Sequence, residues 1–375
     1  MIDPQEFIQH LQANAVEFFT GVPDSLLKEF CACLEQVPLA GRHIISANEG
    51  GAVALALGYH LATRKVPLVY LQNSGLGNII NPLLSLADIE VYSIPLLLVI
   101  GWRGEPGVHD EPQHKKQGRV MLSMLDAMEI PYSVLGPEVD NAETALTDAL
   151  AHVLKTGTPY ALVIRKGTFK SCPISRADKW EFPLSREEAI QQVLDVLDER
   201  DVLVSTTGMP SREVYEYRSK RGEGHQRDFL TVGGMGHASQ IALGIALQKP
   251  GRSVYCLDGD GALLMHMGAL ALNGVLNPPN FKHIILNNGA HDSVGGQPTV
   301  AFDVDVPGIA RAAAYASVFR AQSKQELHAG LMALKGSIGP SLLEIRVRCG
   351  ARKDVGRPVT TPCQNKNAFM DFVEK

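Results

Sequence analysis

The sequence has no block of basic residues and no surplus of positive charge. Its 35 Lys and Arg are outnumbered by 40 Asp and Glu, for a formal net charge of -5. No nucleic-acid partner is expected of such a chain. Long apolar runs are missing as well. Runs such as Ile94 to Ile100 are far too short to span a bilayer, so no membrane segment is expected. The start, MIDPQEFIQHLQANAVEFF, lacks a basic stretch followed by an apolar core. It does not read as a signal peptide, and the cytoplasm is the expected location. Cysteine is sparse: six residues, scattered, with no Cys-x-x-Cys pair and no zinc spacing. Cys31 and Cys33 stand two apart on an expected helix and point away from each other. The thiols are therefore expected to be reduced and structural.

What is present is ordinary globular composition, 45% hydrophobic and 20% charged over 375 residues, which suggests two domains. Each half is long enough to bury its own core. The first half alternates short apolar runs with helical patterns: His43–Ser46, Gly50–Thr63, Leu68–Gln72, Asn78–Ala87, Ile94–Ile100, Tyr132–Leu135, Ala142–Lys155 and Tyr160–Arg165. Continuous apolar strands separated by helices predict a parallel sheet covered on both faces. The rhythm stops in GTFKSCPISRADKWEFP, which reads as a linker. Ser185 with Glu188 predicts a capped helix. The alternation then resumes, through Val202–Ser205, Ser253–Leu257, a helix over Ala262–Val275, His283–Leu286 and Ser341–Val347. The expected architecture is α/β, two doubly wound parallel-sheet domains. The expected boundaries are 1–170, a linker 171–184, 185–350, and a polar tail 351–375 wrapping over a surface.

Two strand tips carry oxygen ligands. VYCLDGDGALLM ends an apolar run at Gly259-Asp260-Gly261, and HIILNNGAHDS ends the next at Asn287-Asn288. Ligands of open parallel sheets sit beyond such ends. Gly259 and Gly261 let backbone approach a phosphate, and the following helix offers its positive start. Asp260 would repel that phosphate unless a cation stood between. The side chains of Asp260 and Asn288, with the carbonyl of Ala290, could supply oxygens to Mg2+. A Gly-Asp-Gly alone is a common turn; the later Asn pair is what strengthens the reading.

This pairing resembles the diphosphate motif of thiamine-diphosphate enzymes. Further residues agree: Glu49 opening the small-residue helix of SANEGGAVALALGYHLAT, and the Gly233-Gly234-Met235-Gly236 turn. The resemblance covers nearly the whole chain. It implies a pyrimidine-binding first domain and a diphosphate-binding second domain, without the extra middle domain of larger members. It implies that Glu49, in a fairly dry pocket, donates to N1' of the aminopyrimidine. Met235 would wedge the cofactor bent, and the Gly233 carbonyl would accept from its 4'-amino group. Ser74 and Gly75, in the loop Asn73 to Asn78, would lie near the pyrimidine.

The family acts on 2-oxo acids, small-molecule substrates. The strings GVPDS from Gly21, VHDEPQHKKQG from Val108, and NNGAHDSVGGQPT from Asn287 resemble two-domain decarboxylases of pyruvates carrying a phosphonate or sulfonate. The phosphonate is the first expectation. Such an anion needs cationic donors, and Arg103, His114 and Lys115 are offered by what reads as one loop, with His291 and Ser293 beside the anchor. Asp24 and His109 are the candidates for proton transfer. An acetolactate-type carboligase and a degenerate regulatory subunit are the competing classes. The family's cofactor spans two subunits, so a homodimer or higher homo-oligomer is implied.

Overall fold

Residues 68–71 of one apolar run divide their side chains between two cores. Leu68 and Tyr70 join one buried cluster, Val69 and Leu71 another. Leu97 and Val99 part from Leu98 and Ile100 in the same way. A strand buried on both faces gains about 1.5–3 kcal/mol per large apolar side chain from each side, which is why these runs are continuous rather than alternating.

The computed structural model describes residues 1–37, 42–138, 142–173 and 181–375. It divides into two units, Met1–Arg176 and Ala177–Lys375. The expected linker 171–184 crosses that division, and its residues 174–180 lie outside the described residues.

The first unit holds strands β1 (Phe19–Gly21), β2 (His43–Ile45), β3 (Leu68–Gln72), β4 (Leu97–Gly101), β5 (Tyr132–Leu135) and β6 (Tyr160–Ile164). They form one parallel sheet in the order β2-β1-β3-β4-β6-β5. The chain reverses its direction of winding between β1 and β3, where such sheets open a crevice. Helix Glu49–Thr63 starts at Asn48, whose side chain accepts from Gly51 N at 2.8 Å. It buries Ala52, Val53 and Ala56.

The second unit holds β7 (Val202–Ser205), β8 (Asp228–Leu230), β9 (Val254–Gly259), β10 (Phe281–Asn287), a short antiparallel pair β11 (Ala290–His291) with β12 (Gln297–Pro298), then β13 (Ser317–Ala321) and β14 (Ser341–Arg346). Its parallel sheet runs β13-β14-β10-β9-β7-β8. The Ser185–Glu188 capping box is present.

Four expectations change. The thiols are not all reduced: Cys33 and Cys172 are joined by a disulfide, with Cα atoms 6.2 Å apart. A separation of 139 residues gives no local signal for that pairing. The stretch holding His114 and Lys115 is not one loop; Pro112, at its favoured first position, opens a helix Pro112–Ala127 that carries both. The expected helix 262–275 is two, Asp260–Met265 and Ala269–Leu276, parted at His266–Gly268. The tail ends in a helix, Pro362–Glu374, which buries Phe369 against Phe229. Among the described residues no helix is long and apolar enough to cross a membrane.

Candidate active site

In the first unit the chemical residues gather at the carboxyl ends of the strands. Glu49 follows β2 and is 6% exposed. Its Oε2 accepts from Asn78 Nδ2 at 2.8 Å. A methyl placed on Gly75 would lie 2.4 Å from Glu49 Oε1, so the 3-10 turn after β3 brings its backbone against the carboxyl. Only glycine leaves that space. Asn73 ties this turn to the next strand tip, donating to the Arg103 carbonyl at 2.8 Å and accepting from Arg103 N at 3.1 Å.

Asp24 follows β1 and is fully buried. Gln72 Nε2 donates to its Oδ1 at 2.5 Å, across the point where the winding reverses, and Leu26 N donates to Oδ2. Burial raises its pKa; Gln72 and the nearby Arg103 act the other way. Ser74 Oγ donates to Gln72 Oε1 at 2.6 Å, so a short polar chain joins Ser74, Gln72 and Asp24.

Arg103 is not an open cation. Its Nε and Nη2 donate to Asp110 at 2.8 and 2.5 Å, and Nη1 donates to Ser25 Oγ. Arg103, His109, Ser25 and Trp102 line a cavity of about 210 Å³. His114 and Lys115 do not: His114 is half-buried on its helix with its pKa lowered by burial, and Lys115 is exposed.

In the second unit Asp260 stands at the tip of β9 and is 3% exposed. Thr299 Oγ1 donates to its Oδ2 at 2.5 Å. Burial nevertheless pushes its pKa up to about 6, against the hydroxyl and the backbone N–H groups of Gly261 and Asn288. Asn288, at the next strand tip, turns Oδ1 toward the N–H of Ala290 at 3.1 Å, leaving its second lone pair. A methyl on Gly259 would meet nothing within 4 Å. Its N–H donates to Asp258 Oδ1 at 3.0 Å, so Gly259 offers room and not the expected donor. Two hard oxygen ligands beside open space fit a divalent cation, and a cation would also offset the cost of the dry carboxylate.

Met235 and His291 meet over the same turn. A methyl on Gly261 would lie 3.3 Å from Met235 Cε and 3.0 Å from His291 Nδ1. Gly233 is half-buried two residues before Met235. Burial lowers the His291 pKa to about 4, so the ring is neutral. Ser293 is exposed. Between them Asp292 accepts from Arg186 Nη1 at 2.9 Å, and Arg186 is itself held by Glu213. This buried ion pair fixes the loop that carries His291.

Sequence reasoning missed Gln72, Asn78, Thr299 and Arg186. Asn78 and Thr299 stand in strings singled out above but without a role, and each of the four has a partner far away in the chain. The structure brings Met235 and His291 together over Gly261, next to Asp260, and sets Glu49 against Gly75.

Residues 5–130 match the thiamine pyrophosphate enzyme N-terminal TPP binding domain, and residues 206–345 the corresponding C-terminal TPP binding domain. A phosphonopyruvate decarboxylase of Streptomyces viridochromogenes is 33% identical over 388 aligned positions, covering 100% of this chain and 95% of that protein. One of Streptomyces hygroscopicus is also 33% identical, covering 99% and 94%. A sulfopyruvate decarboxylase of Methanosarcina acetivorans is 28% identical, covering 87% and 86%.

Proposed function

The chain belongs to the thiamine pyrophosphate enzyme family, as a decarboxylase, and from that premise we propose that it converts 3-phosphonopyruvate to phosphonoacetaldehyde and CO2 with thiamine diphosphate and Mg2+. The observation that carries the chemistry is the dry Asp260 carboxyl beside Asn288 at neighbouring strand tips. The choice of substrate is supported by full-length similarity to the two Streptomyces decarboxylases. Asp260, Asn288 and the Ala290 carbonyl would hold the metal, with Gly259 and Gly261 leaving room for the diphosphate. Met235 and the Gly233 carbonyl would set the bend of the cofactor, and Ser74 and Gly75 would face its pyrimidine. Bound there, the cofactor supplies the sink for the electron pair left by CO2.

The protein's own part is to orient, to exclude water and to move protons. Glu49 would give and take the proton at the pyrimidine N1', held in place by Asn78 and the Gly75 backbone. Asp24, its pKa raised by burial, would be one proton carrier, and His109, which faces the cavity, the second. Arg103 would present a countered guanidinium to the substrate. His291 and Ser293 would line the diphosphate side, His114 and Lys115 a more distant rim. The reading includes a homo-oligomer with sites shared between subunits, a cytoplasmic location and a place in phosphonate biosynthesis.

The test is to add thiamine diphosphate, Mg2+ and 3-phosphonopyruvate to the purified protein and detect phosphonoacetaldehyde by mass. Product that needs both additions supports the reading. Faster use of 3-sulfopyruvate would favour the second reading, which the Methanosarcina acetivorans relative supports. Acetolactate formed from pyruvate alone would replace both with a carboligase.

A further inference from the structure

We propose that Lys166 recognises the second acid group of the substrate. The proposal rests on the decarboxylase reading and deepens it.

The cavity in the first unit lies beside the residues after β1, β4 and β6, with Ser25, Arg103 and Lys166 on its wall. Its volume of about 210 Å³ equals the liquid-phase share of about seven waters, below the range for drug-sized ligands. It suits a small acid. Leu26, Trp102 and Val108 make the wall partly apolar, and Lys166 reaches it from the exposed side.

The charges of the lining are mostly countered. Arg103 is bidentate to Asp110, and Glu105 accepts from Arg165 Nε at 2.7 Å. His109 is the imidazole assigned above to proton movement. Lys166 remains: among the described residues no carboxylate pairs with it, so its ammonium is available to an incoming anion.

Its backbone is held in advance. Lys166 sits in the turn directly after β6, followed by Gly167 at φ +79°. Thr168, buried, donates from Oγ1 to the carbonyls of Leu135 and Arg165. Trp102 N donates to Ile164 O at 2.9 Å, tying the turn to the tip of β4. The ammonium has three rotatable donors and a compact charge, which match the tetrahedral oxygens of a phosphonate or sulfonate. Pyruvate, which has no such group, gives this residue nothing extra to bind. Lys166 therefore acts as a specificity residue, and a methionine there should act mainly on KM.

The experiment compares wild type, Lys166→Met and Lys166→Arg, each loaded with thiamine diphosphate and Mg2+, on 3-phosphonopyruvate and on pyruvate. The methionine variant is expected to lower the ratio of the two kcat/KM values by about tenfold or more, as loss of one charged hydrogen bond does. The loss should come through KM, and arginine should restore most of the ratio. A wild-type ratio well above one that is unchanged in Lys166→Met overturns the role of Lys166 and leaves the decarboxylase reading standing. A wild type that does not prefer 3-phosphonopyruvate or 3-sulfopyruvate to pyruvate overturns both. A ratio that arginine fails to restore also counts against recognition by charge.

Discussion

The two sheets carry buried carboxyls at the same kind of place and surround them differently. In the first unit Glu49 and Asp24 each receive a neutral side-chain amide, from Asn78 and Gln72, and each packs against a glycine two strands away in the sheet, Gly75 after β3 and Gly101 at the end of β4. In the second unit Asp260 receives a hydroxyl and backbone N–H groups, that of Asn288 among them, and the preceding Gly259 has open space where a side chain would stand. A buried carboxyl held by an amide donor is fixed in place without a metal ion beside it. A buried carboxyl next to a second oxygen and an open wall is better served by a metal ion. On the proposed reading, the first unit would move protons and the second would anchor the cofactor.

Substitutions can break or sharpen this contrast. Glu49→Gln should lower turnover by about a thousandfold while thiamine diphosphate still binds with Mg2+; steady-state rates and calorimetric titration check both halves. Asp260→Ala should do the opposite, weakening Mg2+-dependent cofactor binding by about a hundredfold or more. Gly75→Ala probes the contact on Glu49. The helical φ of -81° suits alanine, but the new methyl would lie 2.4 Å from Oε1 and displace the carboxyl. Its kcat should fall by about a hundredfold, with a stability loss of about 1–3 kcal/mol seen by denaturant unfolding. Thr299→Val removes the hydroxyl on Asp260 and should raise the Mg2+ concentration for half-activation by about fivefold, near 1 kcal/mol.

The smallest effect concerns the frame of the first unit. Burial lowers the His43 pKa from 6.5 to about 4, beside the Tyr70 hydroxyl. Between those values the unfolded chain binds the extra proton, so stability is lost as pH falls from about 6.5 toward about 4. A His43→Asn variant should flatten that part of the pH–stability curve, followed by thermal unfolding.

Strand cores and their tips were legible in the sequence because they are local. Leu68–Gln72 and Tyr160–Ile164 declare themselves by unbroken apolar content, and Gly259-Asp260-Gly261 with Asn287-Asn288 by residue type at a strand end. The Glu49 helix start was legible from the small-residue run that follows. The partners were not. Asn78, Gln72, Thr299 and Lys166 matter through where the fold brings them, and Cys172 stands 139 residues from Cys33. Helix Pro112–Ala127 was misread as loop because its first turn, QHKKQG, is polar and carries a glycine. Gly118 is needed there, since its backbone packs against Gly104.

In the proposed function, cofactor binding would depend on the metal ligands of the second unit and not on the Glu49 carboxyl. Calorimetric titration of thiamine diphosphate into wild type and Glu49→Gln, each with and without Mg2+, tests it most directly. Equal binding by both proteins with Mg2+, and none by either without it, is expected. Binding that ignores Mg2+, or is lost in Glu49→Gln, would contradict it.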